Sequence, residues 1–186
     1  METTIAESIA LHEQVSRSDL APVLAAASTI IRSLRCGGKL LLCGNGGSAA
    51  DAQHVAAELV GRFQRERPGL AAIALTTDTS ILTCIGNDYS YDRVFARQVA
   101  AIGRAGDVLL GISTSGGSAN VLAALQAASS RGLRTVAVTG RDGGPVGAAA
   151  EVHVNVPSNT TARVQEVHRT LLHAICDIVE RAFTDV

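Results

Sequence analysis

Residues 39–63, KLLLCGNGGSAADAQHVAAELVGRF, decide the fold. The apolar run 39–44 passes through a Gly/Ser loop directly into a helical pattern that begins at Ser48. A run that is apolar on both faces reads as a strand buried on both sides, the habit of parallel sheets covered by helices. The same design recurs outward along the chain. Runs at 71–76 (AAIALT), 107–113 (DVLLGIS), 134–139 (RTVAVT) and 151–156 (EVHVNV) read as further strands. Helical patterns fall near 48–61, 91–103, 118–131 and 160–183, and one long helix precedes the first strand. The expected class is α/β, an αβα sandwich around a five-stranded parallel sheet, doubly wound in the flavodoxin-like order. Gly-Gly and Asp-Gly pairs mark the turns, and no Pro-rich or charge-rich linker divides the chain. One domain spanning 1–186 is expected.

Composition narrows the function classes. The 186 residues are 47% hydrophobic and 18% charged, with 18 Gly and no Trp, which suits a globular domain. A formal net charge of −1 supplies no basic field for nucleic acid or an anionic membrane, so neither is expected as a partner. The N-terminus METTIAESIALHEQ lacks the basic start and apolar stretch of a signal peptide, and no run reaches the roughly 20 apolar residues of a membrane span. The four cysteines are scattered without a CxxC pair, and reduced thiols in the cytoplasm are the expectation.

An anion must then be held by local dipoles and hydroxyls. Gly44-Asn45-Gly46-Gly47-Ser48 opens one helix, and Ser113-Thr114-Ser115-Gly116-Gly117-Ser118 opens another with four hydroxyls in six residues. Both loops follow strands, so both sit at carboxyl ends, where open α/β sheets bind ligands. In the flavodoxin-like order strands 39–44 and 107–113 are neighbours at the switch point, and the loops face one crevice. Turn and N-cap chemistry is the bland alternative. Gly44-x-Gly46-x-x-Ala49 also matches a dinucleotide fingerprint, but that motif needs an acidic residue about 20 positions on, and the region holds Gly61 to Gln64.

Candidates for chemistry lie on two helices. His54 and Glu58, four apart, share a face, either as metal ligands, as a base with its partner, or as a solvated surface pair, which spacing alone favours. On the last helix His173 stands about 80° around from Gln165, while His168 lies about 60° the other way. Both histidines cannot enter one pocket with Gln165, and the apolar neighbours of His173 favour a core position for it. His12 and His153 are given no role.

Together these blocks resemble the sedoheptulose-7-phosphate isomerase (phosphoheptose isomerase) family of the sugar-isomerase, or SIS, domain. The resemblance runs through CGNGGSAADAQHVAAELVGRF, RPGLAAIALTTDTSILTCIGNDYSYDRVFARQV, GDVLLGISTSGGSANVLAAL and TARVQEVH with the later His173. It implies a homotetramer with sites near subunit interfaces, the N-terminal helix 1–35 packing in the oligomer, and conversion of sedoheptulose 7-phosphate to D-glycero-D-manno-heptose 7-phosphate for the cell envelope. It makes Ser48, Ser113, Thr114, Ser115 and Ser118 the phosphate shell. Asn45, Gly46, Gly47, Asn87 and Asp88 line the sugar path, with Glu58 and Gln165 also on the substrate. His54, Glu58, Gln165 and His173 match the zinc positions, one Zn2+ per subunit, and Glu58 and His173 the catalytic pair. From the residues alone, Asn87-Asp88 reads as a turn. Gly117 departs from the family's usual Asn, which loosens the loop without removing a hydroxyl. A non-catalytic SIS sugar-phosphate sensor or a replication-initiator-associating cousin is the alternative, since either shares the loops and needs no acid/base pair.

Overall fold

The computed structural model describes residues 2–184; Met1, Asp185 and Val186, the ends of the expected 1–186 domain, lie outside the described residues. Strands β1 (Leu40–Gly44), β2 (Ala72–Ala74), β3 (Val108–Ser113), β4 (Arg134–Gly140) and β5 (Val152–Val156) form one parallel sheet in the order β2-β1-β3-β4-β5. Helices α1 (Glu2–Ser16), α2 (Ala21–Arg35), α3 (Gly47–Val60), α4 (Thr79–Asp88), α5 (Val94–Ile102), α6 (Ala119–Ser130), α7 (Gly144–Ala148) and α8 (Thr161–Thr184) cover it. The strands are apolar on both faces because both faces are covered. Leu40 and Leu42 of β1 pack under α2, α3 and α8, while Leu41 and Cys43 pack under α5 and α6. Each buried leucine contributes about 1.5–3 kcal/mol by leaving water. Burial also pushes the Cys43 thiol up to about 12, which leaves it an inert core group.

The expected sheet and strand order are found. The order reverses between β1 and β3, where Gly44 pairs with Ile112 and the chain leaves both strands side by side. Three local expectations are corrected. The long N-terminal helix is two helices, because Asp19 Oδ1 accepts from Ala21 N at 2.8 Å and a proline in the first turn of α2 cannot continue a helix from before. Asn87 and Asp88 close a helix instead of forming a turn, since Asp78 caps α4 by accepting from Ile81 N at 2.9 Å. The pattern at 91–103 divides into a 3-10 turn, Tyr91–Arg93, and α5.

Candidate active site

At the first loop, Gly46 takes φ = 56°, open to glycine at little cost, and α3 starts at the next residue. At the second, Gly116 has φ = 68° and packs so closely on the Gly143–Gly144 backbone that a Cβ would strike the Gly143 carbonyl. The bland N-cap reading does not hold at either helix: neither Gly46 nor Ser118 caps its helix with a side chain. Ser118 Oγ instead meets Ser113 Oγ at 2.8 Å, and Ser115 Oγ accepts from Gly117 N at 3.2 Å. The hydroxyls of 113–118 thus cluster beside a helix start whose N–H groups lack side-chain acceptors, the arrangement that suits an anion. Ser48 is buried below the first loop, and Thr114 is half-buried.

Helices α3 and α8 run side by side in one register. Gly47 abuts the Gln165 amide, so closely that a Cβ there would overlap it. One turn on, Arg169 donates to Asp51 Oδ1 from Nε at 3.0 Å and from its terminal nitrogen at 2.6 Å. A further turn on, His54 Nε2 lies 2.7 Å from His173 Nε2 and 3.4 Å from Glu58 Oε1. Two imidazole nitrogens this close either share one proton or aim both lone pairs at one cation. One ligand atom from each of His54, Glu58 and His173 falls within 4.8 Å of the others, the only such His/Cys/Asp/Glu group among the described residues. A cavity of about 690 Å³ follows this groove, lined by Gly47, Asp51, Gln165, Arg169 and His173, with His12 of α1 closing one side.

The structure reverses the two readings that spacing favours. His54 and Glu58 are half-buried and face α8, so they are not a solvated pair. His173 is half-buried in the groove, whereas His168 is the core histidine, fully buried and donating from Nε2 to the Thr139 carbonyl at 2.9 Å. Helix phase gives the angle between side chains but not which face meets a partner. Asn87 and Asp88 are exposed at the end of α4, where Asp88 accepts from Asn87 Nδ2 and from Cys84 Sγ. His12, given no role, borders the cavity and meets Thr170 Oγ1 at 2.9 Å.

Several residues that shape the groove carry no local signal. Arg67 donates to the carbonyls of Glu58 and Leu59, both at 2.7 Å, and of Gly61 at 2.9 Å, capping the C-terminal end of α3 with a cation. Glu180 is fully buried and accepts backbone N–H from Phe63, Gln64 and Arg65 at 2.8, 2.9 and 2.9 Å. Burial opposes its charge, but those three donors and nearby Arg67 outweigh it and hold the carboxyl below its usual range. The loop so pinned sets the Phe63 ring 5.4 Å from that of His173. Asn120 follows the second loop directly and bonds to Asn45.

The SIS domain family matches residues 5–140. Phosphoheptose isomerase of Roseiflexus sp. (strain RS-1) is 62% identical over 159 residues, 86% of this chain and 81% of that protein. That of Neisseria gonorrhoeae (strain NCCP11945) is 55% identical over 178 residues, 94% of this chain and 90% of that protein. Among solved structures, phosphoheptose isomerase GmhA from Neisseria gonorrhoeae superposes with a TM-score of 0.92 at 51% identity, covering 97% of this chain and 96% of that one.

Proposed function

The chain belongs to the phosphoheptose isomerase family of SIS-domain proteins, and from that premise we propose that it interconverts sedoheptulose 7-phosphate and D-glycero-D-manno-heptose 7-phosphate, in heptose synthesis for the cell envelope. It is an isomerase. The observation that carries the residue assignment is the meeting of His54, Glu58 and His173 across α3 and α8, beside the cavity. A sensor needs only the hydroxyl loops, and nothing in phosphate binding calls for this group.

In this reading Ser113, Thr114, Ser115, Ser118 and Ser48 hold the phosphate, and Asn45, Gly46, Gly47, Asn87 and Asp88 line the path of the sugar. Fixing the distal phosphate turns binding energy into orientation of C1 and C2 over the groove. Glu58 removes a proton from C1 of the ketose, the C1–H electrons form the C1–C2 double bond, and the C2 carbonyl oxygen takes up a proton to give the enediol(ate). Return of the proton from Glu58 to C2, with loss of the O1 proton, gives the aldose. His173, whose Nε2 meets that of His54, moves the oxygen-bound proton.

Two imidazole nitrogens and a carboxylate oxygen within 4.8 Å fit a divalent cation of the zinc type. His54, Glu58 and His173 would hold it, with the Gln165 amide as fourth donor. When bound, zinc supplies Lewis acidity toward the substrate oxygens. Glu58 has two carboxylate oxygens, so it can serve both cation and carbon.

The reading extends to a single SIS domain over 1–186, a homotetramer and a cytoplasmic location. Ile5, Ile9 and Leu24 on α1 and α2 are exposed apolar side chains that subunit contact would cover, and α1 reaches the cavity through His12. The four cysteines are free, as suits a reducing compartment. No helix among the described residues is long and apolar enough to cross a membrane.

The test is turnover of sedoheptulose 7-phosphate before and after chelation, with bound metal quantified. Turnover lost on chelation and restored by zinc supports the whole reading. Chelator-resistant turnover removes the catalytic metal alone, and absence of turnover removes the substrate assignment.

A further inference from the structure

Asn45 and Asn120 lie 75 residues apart on the two loops' elements and form a reciprocal amide pair. Asn45 Nδ2 donates to Asn120 Oδ1 at 2.8 Å, and Asn120 Nδ2 donates back to Asn45 Oδ1 at 2.9 Å. The Tyr91 hydroxyl also donates to Asn45 Oδ1, at 3.2 Å. Asn120 is buried in the first turn of α6 and is fixed by its helix. A carboxamide oxygen accepts about two hydrogen bonds, so Asn45 Oδ1 is saturated. The second N–H on Asn45 Nδ2 is then the one polar group that this side chain has left to offer. A free asparagine can turn either its oxygen or its nitrogen toward a ligand, whereas here the oxygen is engaged by both Asn120 and Tyr91.

We propose that Asn120 is a positioning residue for the isomerisation: it locks the Asn45 amide so that only an N–H donor faces the sugar, selecting a substrate oxygen there, and it ties the first loop to the second. The proposal rests on the isomerase reading for the identity of the sugar. The hydroxyl loop closes on itself through Ser113 and Ser118, so of the five proposed phosphate hydroxyls only that of Ser48 lies on the first loop that the pair ties down. Loss of Asn120 therefore separates the grip on the sugar from the grip on the phosphate, which loss of a merely structural residue would not do.

The experiment compares wild type with Asn120→Leu and Asn120→Asp, measuring affinity for sedoheptulose 7-phosphate, affinity for inorganic phosphate, and kcat/KM against pH. Asn120→Leu is expected to lower sugar-phosphate affinity and kcat/KM by about 10- to 100-fold while inorganic phosphate affinity stays within about threefold. Asn120→Asp carries the sharper test. As a carboxylate it sets an acceptor against Asn45 Oδ1, but as a neutral acid its carbonyl accepts and its O–H donates, restoring both bonds. Burial raises a carboxyl pKa above about 3.9, so the ratio of Asn120→Asp to wild-type kcat/KM should climb as pH falls from about 8 to 5. Three results would overturn the proposal: unchanged sugar-phosphate affinity in Asn120→Leu, phosphate and sugar-phosphate affinity falling together, or a pH-independent ratio for Asn120→Asp. Should Asn120→Leu fail to fold, the Asp variant decides. Absent wild-type turnover would refute the isomerase reading by itself, and the two affinities would still judge Asn120.

Discussion

The loop at 113–118 and the groove between α3 and α8 lie near one crevice of one sheet, yet they are built from different materials. The loop offers neutral hydroxyls and helix N–H groups, which hold a charge without moving protons. The groove gathers imidazoles and a carboxylate on two long helices fixed by Arg67, Glu180 and the Asp51–Arg169 pair. The first arrangement suits affinity and the second suits chemistry, so the two should fail in different ways when damaged.

The largest effect is expected in the groove. Glu58→Gln and His173→Ala should each lower kcat by about 10²- to 10⁴-fold with little change in KM, because each removes a proton carrier and leaves the phosphate grip intact. Steady-state kinetics on the sugar phosphate checks this, and an unchanged kcat in either variant would break the division. Damage to the loop should have the opposite form. Ser113→Ala with Ser118→Ala should raise KM about 10- to 100-fold, through lost hydrogen bonds to a charged group, and leave kcat within a few-fold. A kcat collapse there would show that the loop belongs to the chemistry.

Gly47 stands where the first loop enters the groove, and its substitution sharpens the comparison. An added methyl in Gly47→Ala overlaps the Gln165 amide, so Gln165 must swing away while the helical backbone accepts alanine readily. A loss of about tenfold in kcat/KM with an unchanged melting temperature is expected. A wild-type rate would show that the position of Gln165 does not matter.

The smallest effects concern stability and pH. Burial lowers the pKa of His168, against the opposing pull of the Thr139 carbonyl and Asp51. Its folded pKa lies below its unfolded one, so the unfolded chain binds the proton first. Its contribution to stability is complete above about pH 6.5 and is lost as pH falls through the window beneath. Glu180, also depressed, contributes fully above about pH 4.3 and loses that contribution as pH falls through its folded pKa. Melting temperature should therefore fall in two stages on acidification, and His168→Gln should flatten the first. A single stage in wild type would contradict the assignment.

How much of this was legible in the sequence follows from how local each feature is. Strands β1, β3 and β4 announce themselves because burial on both faces demands uninterrupted apolar runs, and the two loops are visible as Gly/Ser clusters after such runs. The switch point follows from the strand order. The groove is different. His54 and Glu58 read as a surface pair because nothing near them shows that α8 covers that face, and α8 begins over 100 residues later. His168 and His173 both sit in apolar stretches, and only tertiary packing makes one a core group and the other a site group. Glu180 acts across 113 residues or more and Arg67 reaches back eight and nine residues to the end of α3, and neither spacing is a motif. Asn120 was within reach, since it follows STSGGSA directly, but its partner Asn45 is joined to it only by the β1–β3 pairing.

The most direct test of the central claim, that Glu58 moves the carbon-bound proton while the loops hold the phosphate, is hydrogen exchange in heavy water. Sedoheptulose 7-phosphate is incubated in D2O with wild type or Glu58→Gln, and deuterium at C1 and C2 is read by NMR alongside binding affinity. The account predicts solvent deuterium in the wild-type reaction, where the proton carried by Glu58 exchanges with D2O before it returns to carbon, and none above background with Glu58→Gln despite substrate affinity within about threefold. Deuterium incorporation by Glu58→Gln at the wild-type rate would contradict it.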